Sequence, residues 1–163
     1  MGGVIQTRGG ANLKRLERYK DKIDKHKVMI FYYKIAWMHL CNKQPDKCID
    51  YLQRIIEMTS DSLKKDIQVY TRLMFLMAHY ELENFNFLPS VLKNYHRFFL
   101  KAELKNQVIA NLFSFFKEVL KKPIPERKEV VHKYLITLKA LKNNKYEKRA
   151  LLYLDGIAWL ESL

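Results

Sequence analysis

Four side chains with metal-binding chemistry stand in the first third of the chain: His26, His39, Cys41 and Cys48. Imidazole nitrogen and thiolate sulfur are the donors that zinc selects, and four of them complete a tetrahedral site. Structural zinc sites bring their ligands in closely spaced pairs such as CxxC, and these four residues follow no such rhythm. Free cysteine also behaves as a small hydrophobe, so Cys41 and Cys48 read as modest-sized residues at helix contacts. No metal and no cofactor is expected.

Nucleophilic catalysis needs a serine or cysteine activated by a histidine that a third group orients. The five serines fall in turn-like or helix-surface contexts without a glycine-framed elbow. His79, Glu81 and Glu83 are close in sequence, but neighbours two apart on a helix point to different faces. Phosphate-cradling loops need glycine, and beyond Gly10 the chain has only Gly156. The chain reads as a non-enzyme.

Positive charge offers a different chemistry. The chain carries 30 basic and 17 acidic residues, a net charge of +13. The excess is +6 over residues 1–34, +1 over 35–80, +3 over 81–122 and +3 over 123–163. Lys14, Arg15, Arg18, Lys20 and Lys22, followed by Lys25 and Lys27, crowd one short segment and would neutralise phosphates in a sequence-blind, salt-sensitive way. Aromatic residues are not interleaved with them, so no stacking platform accompanies the charge. Elsewhere the lysines are scattered as on an ordinary solvated exterior. Nucleic acid is therefore the alternative partner rather than the first.

The elements that must position these residues are helices. Sheets of this length need many turn glycines, and four of the five glycines lie within the first ten residues. Residues 1–11 read as a flexible leader or a cloning remnant. "NLKRLERYKDKIDK", residues 12–25, puts Leu13, Leu16 and Ile23 on a narrow stripe of an otherwise exposed helix. "VMIFYYKIAWMHL" is apolar on almost every face and reads as a buried helix. Pro45, Pro89 and Pro125 then each open an amphipathic helix, because first-turn amides lack intrahelical partners. A more hydrophobic helix precedes each one, at 28–41, 66–82 and 107–120. The rhythm predicts three helix–turn–helix units, about 28–58, 66–101 and 107–141, and a closing helix at 146–161. The result is one all-α domain of about seven or eight helices over residues 12–163.

Two units resemble the tetratricopeptide pattern. In "YYKIAWMHLCNKQPDKCIDYLQRII", Ile35 and Ala36 match the large–small pair of the first helix, and His39 falls at the usual tyrosine. Cys48 takes the small-residue slot of the second helix, followed by Leu52 and Ile55. Phe75, Leu76, His79, Leu88, Leu92 and Tyr95 repeat these offsets 40 residues later, longer than the usual period. Leucine at both small slots of the second unit should hold its helices farther apart. The third unit keeps only the rhythm. Segments such as "FYYKIAWMHL", "HYELENF" and "EKRALLYLDGIAWLESL" also resemble the C-terminal part of larger bacterial helical-repeat proteins without an assigned activity.

The resemblance implies a right-handed α-solenoid of antiparallel helix pairs whose first helices line a concave face. It places Tyr33 and Trp37 of the first unit, with Tyr70, Leu73, Met77 and Tyr80 of the second, on that face. Aromatics with a polar tip suit the burial of a partner segment. The expected role is a scaffold for protein or peptide, or the structural end of a larger repeat protein, with self-association through terminal helices a further option. No Lys/Asn carboxylate clamp occupies the inner positions. The aromatics also suit a covered core, under a closing helix that carries Trp159. Two cysteines make no disulfide framework and suit a reducing, cytoplasmic setting. "MGGVIQTRGG" lacks the apolar stretch of a secretory signal, and no apolar run is long enough to span a bilayer.

Overall fold

Hydrophobic periodicity and proline placement translate directly into helices. The computed structural model describes residues 25–58, 65–102 and 106–163. In chain order these form α1 (Lys25–Cys41), α2 (Pro45–Glu57), α3 (Lys65–Glu81), α4 (Leu88–Ala102) and α5 (Gln107–Val119). A 3-10 turn (Ile124–Glu126) leads into α6 (Arg127–Leu141), followed by α7 (Lys148–Tyr153) and α8 (Gly156–Glu161). The described residues are all-helical and contain no strand. Pro45 is the first residue of α2 and Pro89 lies in the first turn of α4. Pro125 falls in the 3-10 turn rather than in α6 itself, where its fixed φ suits the tighter winding.

Each helix packs on the next, from α1 with α2 through to α5 with α6. A second set of contacts links α1 to α3, α3 to α5, and the last two short helices to α5 and α6. α3 is the central element, buried on most faces from Ile67 to Ala78, which explains its lack of a polar side. α2 buries one stripe only, Cys48, Ile49, Leu52 and Ile55, spaced for a helix lying over a core.

The α1–α2 and α3–α4 turns are built alike. In the first, Gln44 N–H bonds to His39 O and Lys43 N–H to Leu40 O; in the second, Asn84 N–H bonds to His79 O and Glu83 N–H to Tyr80 O. These pairs are the Schellman arrangement that satisfies terminal carbonyls and demands a left-handed residue. Lys43 (φ 56°) and Glu83 (φ 57°) take that conformation without being glycine. A histidine closes each turn from inside, His39 Nδ1 meeting Gln44 Oε1 and His79 Nδ1 meeting Asn84 Nδ2, both at 2.9 Å.

The end of the chain departs from the single helix read over 146–161. Leu154 is extended and Asp155 caps a new helix, its carboxylate accepting from Ala158 N–H at 2.9 Å. Gly156 then sits so close to α5 and α6 that a Cβ there would lie 2.9 Å from Leu112 Cδ2 and 3.3 Å from Leu138 Cδ1. Glu147, buried, accepts from Gln107 N–H at 2.9 Å and Val108 N–H at 3.2 Å, placing its carboxylate on the N-terminus of α5.

Candidate functional site

The aromatic residues singled out on α1 and α3 share one side of the molecule, and the chain's own α7–α8 segment lies across part of it. Tyr33 donates its hydroxyl to the Tyr153 carbonyl at 2.7 Å. Tyr70 stacks on the Tyr153 ring, centroids 5.4 Å apart and planes 12° from parallel. Both tyrosines are buried. Burial, then the neighbouring Tyr70 and Cys48, pushes the Tyr33 phenol well above its ordinary range. Burial followed by Asp66 pushes Tyr70 up to about 12. Both stay protonated rather than becoming nucleophiles or bases.

Leu73 and Met77 are fully enclosed and offer no surface. Tyr80 is half-buried in a cluster of rings: Phe85 at 5.4 Å, Phe115 at 6.0 Å and Trp159 at 5.9 Å. Trp159 Nε1 donates to Glu81 Oε1 at 3.0 Å, and Lys43 Nζ reaches the same oxygen at 3.3 Å and Ser162 Oγ at 3.2 Å. The Glu81 side chain is only 9% exposed. One carboxylate therefore joins the α1–α2 turn, the end of α3 and α8.

Trp37 is half-buried and borders open space. Between α1, the start of α3 and α7 runs a cleft of about 450 Å³, lined by His26, Ile30, Tyr33, Lys34, Trp37, Asp66, Ile67, Arg149, Leu152, Tyr153 and Asp155. Leu152, on its far wall, is 84% exposed. Arg149 Nη2 lies 3.5 Å from the Tyr153 hydroxyl, and this contact, the first cause, raises its pKa. The walls are apolar and aromatic, with cations (Lys34, Arg149) and carboxylates (Asp66, Asp155) around them. That composition suits an apolar side chain with polar groups beside it.

Arg149, Leu152, Tyr153 and Asp155 were not singled out by the sequence reading. Asp155 followed by Gly156 was the available signal, since an aspartate ahead of an apolar run marks a new helix start.

The other candidates lie apart from this cleft or bring no site together. His39 stacks on Tyr51 at 5.7 Å. Cys48 is buried, and burial raises its thiol pKa far up, whereas Cys41, at the end of α1, is exposed rather than packed at a helix contact. No group of three or more histidine, cysteine or acidic residues suited to a metal gathers among the described residues. No described helix is long and apolar enough to cross a membrane. Lys14, Arg15, Arg18, Lys20 and Lys22 lie outside the described residues. Comparison with protein-family models, with curated proteins and with solved structures gives no match.

Proposed function

We propose that the chain is a non-catalytic protein-interaction module built as a tetratricopeptide-like, right-handed solenoid of helix pairs. Two features support the architecture: turns opened by the same pair of backbone hydrogen bonds 40 residues apart, and packing of each helix on its sequence neighbours. The cleft beside Trp37 carries the function. The inner face is already occupied along Leu73, Met77 and Tyr80 by buried packing and the ring of Trp159. Beside Trp37 the same side stays open, and the cleft there accepts a short peptide through one large apolar side chain seated between Trp37 and Leu152. Lys34, Arg149, Asp66 and Asp155 set the polarity of the flanking residues.

Peptide display against the whole chain, counter-selected on Trp37→Ala, tests this. The expected result is enrichment of sequences with a large apolar anchor, binding about tenfold or more weaker to Trp37→Ala and little changed between about 50 and 200 mM salt. Equal enrichment on both proteins would remove the cleft as the site. Binding to single-stranded nucleic acid that collapses over the same salt range would favour the basic-helix alternative.

A further inference from the structure

A second hollow, of about 660 Å³, lies between the end of α6, α7 and α8. Leu152 and Asp155 line both it and the cleft beside Trp37, so the two adjoin there. Its charged lining is Lys139, Lys142, Lys148, Asp155 and Glu161. Both acids are already engaged: Lys139 Nζ reaches Glu161 Oε1 at 2.9 Å, and the Asp155 carboxylate caps α8. Lys142 and Lys148 are exposed, and among the described residues neither belongs to an ion pair. From Lys142 to Arg149 the sequence holds four cations and one acid. That acid, Glu147, is buried against the start of α5 and leaves the exposed lysines on either side of it uncompensated.

Uncompensated cations beside an apolar cleft are complemented by carboxylates carried on the same segment as an apolar anchor. Nucleic acid does not fit both halves, because a phosphate backbone continued into the cleft meets Asp66 and Asp155. This chain does not supply the complement either. Residues 1–24 hold six cations against three carboxylates, residues 59–64 and 103–105 each sum to zero charge, and a second copy brings a net charge of +13. We propose that the partner segment is acidic: it seats its apolar anchor beside Trp37 and lays the carboxylates of adjoining residues over Lys142 and Lys148. The proposal rests on the reading of the cleft as a peptide site, and adds the partner's charge and the two lysines that select it.

Fluorescence anisotropy on the full chain tests it with three labelled peptides of equal length, each a central phenylalanine flanked on both sides by serines, glutamates or lysines. The glutamate-flanked peptide should bind about fivefold tighter than the serine-flanked one, and the lysine-flanked one should bind weakest. Lys142→Glu combined with Lys148→Glu should erase the glutamate gain and leave the affinity for the serine-flanked peptide unchanged. Lys93→Glu combined with Lys101→Glu, the same change of net charge at exposed lysines of α4, should keep the gain. A gain that survives the first pair, or falls as far in the second, overturns the proposal, since the charge of the whole chain then explains it. Equal binding of the serine- and glutamate-flanked peptides also overturns it, and leaves the cleft reading standing where Trp37→Ala still weakens both. If none of the three binds, or Trp37→Ala weakens none, the cleft reading falls and the proposal with it. Glutamate-flanked binding that appears only after removal of residues 1–24 makes that segment the occupant and overturns the proposal. So does a single-stranded oligonucleotide that binds the native chain but not the Lys142→Glu, Lys148→Glu protein, which gives the lysines to nucleic acid.

Discussion

His79 shows how one side chain reports its surroundings. Its ring sits between Phe75 and Phe87, with centroids 4.4 and 4.8 Å away, and its Nε2 is enclosed without a hydrogen-bond partner. Burial lowers its pKa below the ordinary value. The unfolded chain therefore takes up the proton first as pH falls. Above about pH 6.5 both states are neutral and nothing is gained or lost; below it, stability declines until the folded-state pKa is passed. Denaturant unfolding from pH 7 to 5 should show this decline in the native chain and a shallower one in His79→Gln. An unchanged slope would mean that the ring is already hydrated in the folded state. Sequence alone could match His79 to His39 and set Phe75 one helical turn before it, but it could not bring Phe87, which lies in the turn beyond, onto the ring.

At the scale of elements, the periodic helices were legible: 28–41, 66–82 and 107–120 stand beside observed α1, α3 and α5. Three and a half turns of apolar residues leave the backbone little choice. The left-handed Lys43 and Glu83 were not legible, because neither is the glycine or asparagine that usually marks such a site. Their conformation is imposed by the two helices that must reverse there. The strain is removable. Glu83→Gly should raise unfolding free energy by about 0.5–1 kcal/mol, since glycine takes positive φ without the Cβ penalty. Glu83 suits the test better than Lys43, which also holds Glu81 and Ser162. A loss of stability in chemical denaturation would show that the turn carries no such strain. The break at Leu154–Asp155 went unread for the opposite reason: helix formers flank it on both sides, and only the cap of α8 interrupts them.

Across the whole molecule, most packing joins sequence neighbours, and such arrays tend to fray from an end. The α7–α8 segment changes that. Tyr33 and Tyr153 are bonded across 120 positions, and Lys43 and Ser162 across 119. Nothing in local periodicity announces contacts so distant, so the covering of the aromatic face was foreshadowed only by the apolar bulk of Trp159. Trp159→Ala removes that bulk and strips Glu81 of a donor. It should cost about 3–5 kcal/mol and broaden thermal unfolding into more than one step. A single sharp transition shifted by less than half a kcal/mol would show that α8 is a passive appendage.

The bond from Trp159 to Glu81 spans 78 positions, and synthesis runs in one direction only. At roughly 5–20 residues per second, the nascent chain holds its tyrosine-rich side uncovered for roughly 4–16 s before the indole emerges. During that interval the ribosome presents a greasy, hydroxyl-tipped patch to any chaperone or assembling neighbour nearby.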